Sequence, residues 1–302
     1  MPTRSFRFLL LSLTLLPACA LTSGRALAQA DSPPDTTLAA LSNEARVRLR
    51  ATAGAWFPAL SGDVRFGAPR SAGDLSVDAF LDLEDNEPTF AGDVALFIDE
   101  RWLVQISAFD FATEATTVAS SSFRVNGAAF AAGTALASDF GATSVAASAG
   151  YDLFGNIYEC FNPDGNDTGH HVDLRAHLLA GVRGLNVDHR LAIGGGPTVA
   201  FDEWGATLNG GLRIGIAIGP DFAGRNRWDV DFVLTYGLGG SSEANLTTLD
   251  LALGIHYTVV DHFALVLGYR QIDFDFDAAN ASQPYRYDGR LAGLFFGGEV
   301  KF

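Results

Sequence analysis

The segment LTTLDLALGIHYTV, Leu246–Val259, alternates between two kinds of side chain. One face carries Leu249, Leu251, Leu253, Ile255 and Tyr257, and the other carries Asp250, Ala252, Gly254, His256 and Thr258. A repeat of two residues is the period of a β-strand. The segment is long compared with a typical strand of about five or six residues. We therefore predict a long strand with one apolar and one polar face.

The same alternation recurs along most of the chain. It is clear at 203–218 and 227–238, and weaker at 46–57, 90–98, 101–109, 142–153, 171–183, 262–271 and 294–302. Together with the first segment this makes ten candidate strands. The longest stretch after residue 30 without a charged residue, 125–138, is shorter than the roughly 20 residues of a membrane helix.

Long two-faced strands fit either a soluble sandwich or barrel with the apolar face inside, or a membrane barrel with that face outside. Here the polar faces mix charged residues with Gly, Ala, Ser and Thr. A narrow interior needs small side chains or paired charges, and arginine opposite carboxylate pairs well there. We predict an all-β fold: an antiparallel, up-and-down transmembrane β-barrel of about 10 strands, with 8–12 possible.

Aromatic residues collect near the ends of the predicted strands, where the interfacial girdles of a membrane barrel lie. They are Trp56, Phe57, Trp102, Tyr151, Trp204, Trp228, Tyr236, Tyr257 and Tyr269. The alternative is that these are ordinary aromatic residues of a sandwich.

The first 30 residues have the features of a secretory signal peptide. Arg4 and Arg7 precede an apolar run, and ALAQA offers small residues for cleavage after Ala30. An alternative is lipoprotein processing at LPAC, with Cys19 acylated. We predict a signal peptide at 1–30, a flexible lead-in at 31–44 and the barrel at 45–302.

The chain is acidic, with 20 Lys and Arg against 35 Asp and Glu. This balance argues against nucleic acid as a partner, because phosphates require the opposite charge. Only Cys160 follows the predicted cleavage site, so we expect no internal disulfide.

The final segment LFFGGEVKF places Leu294, Phe296, Val300 and Phe302 on one face. It resembles the C-terminal assembly signal of small bacterial outer-membrane β-barrels of the OmpW-like and OmpA-like kind. WFPALSGDVRFG at 56–67 and GYRQIDFDFD at 268–277 are also similar to segments of such barrels, which commonly have eight strands. The resemblance implies a cell outer-membrane location, contact with outer-membrane lipids, and insertion by the barrel assembly machinery through the C-terminal strand.

An even strand count with both ends periplasmic places 58–88 and 112–141 outside. Asp99-Glu100, 219–226 and 259–262 then form periplasmic turns. The long connection at 155–171 falls on the periplasmic side, either as an inserted loop or because the strand count is wrong there. Asn126-Gly127 between apolar runs predicts a hairpin.

The charged residues on the polar faces are the main candidate site. We predict a lumen charge network of Arg48, Arg50, Asp93, Asp173, Arg175, Arg183, Arg213, Asp231, Asp250, Arg270 and Glu299. Unpaired, each charge would carry a desolvation cost of several kcal/mol, so they should pair across the lumen. We expect a plugged or very narrow channel, in which Arg213→Ala raises the conductance. Wide porin channels need about 16 strands or more.

Motifs typical of enzymes and metal sites are weak in this sequence. None of the six histidines is followed by serine two residues later, the pattern sought for a barrel lipase. DGNDTG at 164–169 resembles half a calcium loop, but Arg175 occupies the position of the required glutamate. Acidic residues at 78–87 and 273–277 are expected in solvated outer loops. We predict no catalytic residue, metal site or cofactor. The alternatives are a lipid-modifying barrel enzyme and a soluble periplasmic barrel that binds an apolar ligand.

Overall fold

A computed structural model describes residues 47–68, 72–83, 87–99, 101–155, 157, 170–220, 228–260, 262–278 and 284–302. The predicted signal peptide, the lead-in and the calcium-like loop at 164–169 lie outside these residues. The barrel belongs to a compact unit that comprises Ala45–Phe302. Across the described residues, no helix has the length and apolar character needed to cross a lipid bilayer.

The described chain is built from thirteen strands. They are β1 (Val47–Phe66), β2 (Leu75–Ser76), β3 (Thr89–Ile98), β4 (Trp102–Val118), β5 (Phe123–Val125), β6 (Ala128–Phe130), β7 (Ala135–Asp152), β8 (His170–Ile193), β9 (Thr198–Pro220), β10 (Trp228–Gly240), β11 (Asn245–Val260), β12 (Phe263–Ala278) and β13 (Tyr285–Lys301). The ten long strands coincide with the ten predicted from the alternation.

The ten long strands form one closed antiparallel barrel. Their order around the ring is β1, β3, β4, β7, β8, β9, β10, β11, β12 and β13, and β13 pairs with β1. The closing pair runs from Arg50 opposite Lys301 to Phe66 opposite Tyr285. Closure leaves no free sheet edge, since β13 pairs with β12 on one side and with β1 on the other. We call the end with Val47 and Phe302 the terminal end, and the opposite end the far end.

Two connections fold over the far end and add side chains to the core. We call them the cap, which comprises the described residues 72–83 and 119–134. Val77 donates its backbone N–H to the carbonyl of Gly62 at 2.9 Å, and Asn126 donates to the carbonyl of Phe66 at 3.0 Å. The predicted Asn126-Gly127 hairpin is present between β5 and β6, with positive φ angles of 47° and 83°.

Two expectations about location need correction. Trp56 is fully buried inside the barrel rather than part of an outer girdle, because it lies on the inward register of β1. Asp273, Asp275 and Asp277 lie on β12, on its outward face, rather than in a loop. The segments 58–88 and 112–141 include extensions of β1, β4 and β7 toward the far end.

Candidate functional site in the barrel lumen

The lumen contains two stacked layers of different chemistry. The half near the terminal end holds charged side chains, which we call the charged layer. The far half holds a continuous cluster of buried apolar and aromatic side chains, which we call the aromatic layer. The inward positions of the same strands supply both layers. On β12, for example, Arg270 lies in the charged layer and Phe274 and Phe276 lie in the aromatic layer.

One part of the charged layer is built around Asp231 on β10. Arg213 of the neighbouring β9 lies 3.0 Å from its carboxylate, and Arg50 of β1 lies 3.5 Å from it. β1 and β10 are four positions apart in the ten-membered ring, so the Arg50–Asp231 pair spans the lumen. Both guanidinium groups also lie over the ring of Phe97, that of Arg50 at 5.2 Å from the ring centroid and that of Arg213 at 5.5 Å.

Glu299 connects this group to the closing strand. Its carboxylate lies 3.0 Å from Nδ1 of His256 and 3.2 Å from Nζ of Lys301. Lys301 also pairs with Asp229, which lies 3.9 Å from Arg50. Lys301 and Asp229 were not among the residues predicted for the network, although the inward register of their strands could have identified them. His256 lies on the polar face of its strand, as its alternation with Asp250 predicts.

A second part of the charged layer is centred on Asp250 of β11. Its carboxylate pairs with Arg183 of β8 and lies 2.8 Å from Arg270 of β12. The Arg270 guanidinium lies 5.8 Å from the ring centroid of Trp56 and 5.5 Å from that of Phe109. Arg270 therefore contacts both layers of the lumen.

The remaining predicted residues lie apart from these two groups. Asp173 and Arg175 pair with each other at 2.9 Å near the terminal end. Arg48 is exposed at the same end. Asp93 lies on the inward face of β3 and lines a cavity between the two groups.

The described residues of the lumen line two cavities of different size. One, of about 160 Å³, lies within the charged layer and is lined by residues that include Asp93, Arg183, Asn209 and Arg270. The other, of about 390 Å³, lies at the terminal end and is lined by residues that include Arg48, Arg175, His177 and Phe302. We call the first the inner cavity and the second the vestibule.

The aromatic layer makes contacts across the lumen. Phe201 of β9 stacks on Tyr285 of β13 with ring centroids 4.0 Å apart and planes 9° apart. These strands are four positions apart in the ring. Phe66 of β1 meets His189 of β8 at 4.8 Å, which is a second contact between strands four positions apart. Side chains from opposite walls therefore touch at this level.

A buried polar chain lies within the aromatic layer. Ser138 Oγ is 3.0 Å from His189 Nε2, and His189 Nδ1 is 3.2 Å from the hydroxyl of Tyr285. Sequence spacing could not find it, because the three residues lie on β7, β8 and β13. A serine beside a histidine is a nucleophile–base arrangement. All three side chains are buried, and their polar atoms are hydrogen-bonded to one another within an apolar core.

The exterior of the barrel has the opposite chemistry from the charged layer. From the terminal end, outward positions carry exposed residues such as Ile106, Leu178, Leu267 and Phe296. Along the described strands, this apolar belt has no charged outward residue until positions such as Asp110, Asp188 and Asp273. A closed antiparallel barrel with an apolar exterior is the form in which strands cross an outer membrane. The protein is a small outer-membrane β-barrel.

The belt also accounts for several sequence expectations about this barrel. Leu294, Phe296, Val300 and Phe302 all point outward and are exposed. Trp102 packs against Tyr151 at 4.8 Å, and Trp228 against Tyr257 at 4.7 Å, near the terminal end of the belt. A soluble periplasmic barrel does not fit this exterior, because it would expose the apolar belt to water.

Neither protein-family models nor curated proteins gave a match to the sequence. Among solved structures, the barrel is similar to the outer membrane protease OmpT from Escherichia coli, with 8% identity, a TM-score of 0.38, and coverage of 86% of this chain and 98% of that one. It is also similar to Neisserial surface protein A, with 13% identity, a TM-score of 0.27, and coverage of 86% and 100%. The P. putida toluene transporter TodX is also similar, with 12% identity, a TM-score of 0.19, and coverage of 88% of this chain and 92% of that one.

Proposed function

We propose that the protein is a non-enzymatic structural barrel of the bacterial cell envelope, with a lumen closed to solutes. The observation that carries this proposal is the stacking of Phe201 on Tyr285 from nearly opposite walls of the barrel. An aqueous pore needs a continuous polar path, and an aromatic contact at 4.0 Å leaves no room for water at that point. The outer-membrane lipids would then be its main partners, bound along the apolar belt.

The charged layer supports the same proposal as a second obstruction. Arg50 and Arg213 converge on Asp231 from two walls, and Arg183 and Arg270 converge on Asp250. A narrow channel remains the alternative, in which ions pass between these groups. That alternative requires the aromatic layer to open.

Conductance in planar bilayers tests the proposal. We expect the wild-type barrel to lack the steady conductance of a general porin. The two-layer lumen changes the expectation for Arg213→Ala, which should stay closed because the aromatic layer is intact. The triple variant with Arg213→Ala, Phe201→Ala and Tyr285→Ala should show measurable conductance. The double variant with Phe201→Ala and Tyr285→Ala, which keeps Arg213, is the matched control. Porin-like conductance of the wild type would overturn the proposal.

The absence of enzyme activity is a separate part of the proposal. Supporting it, Ser138 and His189 are buried inside the barrel rather than facing lipid, and the rings of Phe66 and Phe140 pack against His189. The test is hydrolysis of phospholipid and lipid A by the purified barrel in mixed micelles. We expect no release of fatty acid. Release that disappears in Ser138→Ala would establish a lipid-modifying enzyme instead.

A further inference from the structure

The inner cavity contains a cation whose hydrogen-bonding capacity is incompletely used. Arg183 is only 3% exposed, and its Nη2 group donates to Asp250. Among the residues that the structure describes, its Nε and Nη1 groups have no hydrogen-bond partner. Buried charged donors that lack a partner are costly, so a group at this position that accepts hydrogen bonds would be stabilised.

A second cation lies on the same wall. Arg270 lines the inner cavity and shares the carboxylate of Asp250 with Arg183. Two guanidinium groups thus meet one carboxylate there. Arg50 and Arg213, which also line the cavity, pair with Asp231. At the wall formed by Arg183 and Arg270, two cations share the single negative charge of Asp250.

Neutral hydrogen-bonding side chains also line the cavity, together with apolar residues such as Leu179 and Val233. Gln105, Ser107, Ser148, Asn209 and Thr235 all face the inner cavity. Amide and hydroxyl groups can donate to an anion and reorient to do so. The volume of about 160 Å³ accommodates a small ion with several waters.

Asp93 is the charge that opposes this arrangement. It lines the same cavity from β3, and within the described part of the chain no ion-pair partner lies within 4.0 Å of it. A carboxylate in this position weakens the binding of an anion and strengthens that of a cation. Asp93 therefore gives a direct test of the sign of any ligand.

We propose that the inner cavity binds a small inorganic anion, of the size of chloride, through Arg183 and Arg270. The vestibule connects the terminal end with Arg50 and Arg213, which line both cavities. An ion that enters from that end passes these two arginines and the carboxylate of Asp231 that they share. The site goes beyond the proposed structural role, and the conductance recordings test that role independently.

The experiment uses the full barrel in detergent at constant pH and ionic strength, with chloride replacing gluconate. We expect chloride to raise the midpoint of thermal unfolding, because an ion bound only by the folded state stabilises it. Arg183→Met should weaken the apparent chloride affinity at least tenfold. Arg290→Met is the matched control, since Arg290 pairs with Asp273 on the exterior. Asp93→Asn should tighten chloride binding severalfold.

Two results would overturn the inference. One is an equal chloride response in wild type and Arg183→Met, and the other is weaker binding in Asp93→Asn, which would indicate a cation or zwitterion. If Arg183→Met does not fold, crystals of the wild type grown in bromide decide the question. An anomalous peak beside Arg183 Nε supports the anion site, whereas ordered water alone in the cavity contradicts it.

Discussion

Asp250 illustrates how single residues hold the lumen together. Its carboxylate is buried and faces two guanidinium groups, one from β8 and one from β12. Taking these charges out of water is expensive, and their mutual attraction compensates only while the set is complete. Removing this buried carboxylate should therefore lower the free energy of unfolding more than removing a carboxylate from an exposed ion pair.

Asp250→Asn should destabilise the barrel by about 3–5 kcal/mol, because two buried cations lose their only shared carboxylate charge. Asp273→Asn removes the same group from the exterior pair with Arg290, and should cost about 0–1 kcal/mol. The measurement is the free energy of unfolding in urea in lipid vesicles, followed by tryptophan fluorescence. Equal losses in the two variants would contradict a buried charged layer.

His189 predicts a specific dependence of stability on pH. It lies beyond the apolar belt, between the outward residues Asp188 and Arg190, and burial lowers its pKa from 6.5 to about 3. In the unfolded chain, His189 binds a proton below pH 6.5, whereas in the folded barrel it stays neutral until the pH approaches 3. Stability from this residue is therefore complete above pH 6.5 and is lost as the pH falls toward 3.

The expected slope is about 1.4 kcal/mol per pH unit within this window. His189→Gln can still hydrogen-bond to Ser138 and Tyr285 but does not titrate, so this slope should be missing from its unfolding free energies. Buried carboxylates lose stability in acid in both proteins, which makes the difference between the two curves the informative quantity. Parallel curves would show that His189 is protonated in the folded barrel.

At the scale of elements, β13 both closes the barrel and ends the chain. Phe302 exchanges two backbone hydrogen bonds with Leu49, each 2.9 Å long, and its side chain is exposed on the belt. Few folded-state contacts depend on the phenyl ring. The apolar outward face of β13 is instead available to the barrel assembly machinery, which we propose as its partner.

Phe302→Ser should therefore reduce assembly in cells more than stability in vitro. We expect severalfold less heat-modifiable barrel in the outer membrane, and a change in unfolding free energy of about 1 kcal/mol or less. Val118→Ser is a control, since Val118 is also an exposed apolar residue but lies at the far end of β4. A proportionate loss in both assays would assign Phe302 a purely structural role.

At the scale of the whole molecule, the apolar belt and the longer strands define where lipid ends. A transmembrane strand needs about 9–11 residues, whereas β8 and β9 have 24 and 23. The strands therefore continue beyond the bilayer, and the charged outward residues mark this extension. The cap closes the extension at the far end.

Single cysteines in a Cys160→Ser background test this division. In outer-membrane vesicles, cysteines at 251, 253 and 255 should be shielded from a water-soluble thiol reagent by lipid. A cysteine at 275, on the outward face of the extension, should react rapidly. Cysteines at 250 and 252 should react slowly because the charged layer encloses them. Rapid labelling at 253 and 255 would mean that this face meets water and would refute the membrane orientation.

The sequence by itself determined the strands, their two faces and the barrel they form. The alternation in Leu246–Val259 predicts which residues meet lipid, because side chains of a strand must alternate between its faces. The outward Leu294 and Phe296 and the inward Asp250 and Arg213 follow from this rule. It also predicted the turn at Asn126-Gly127, whose residues tolerate positive φ.

Only the tertiary structure decided what fills the interior. Apolar residues such as Phe274, Tyr285 and Trp56 suit either the lipid-facing or the lumen-facing side of a strand. The alternation alone therefore does not place them, and the strand register of the barrel is needed to show on which side they lie. The pairing of Arg50 with Asp231, the stacking of Phe201 on Tyr285 and the Ser138–His189 contact all join strands distant in sequence. Such contacts depend on strand number and stagger, which fix the residues that face each other across a closed barrel.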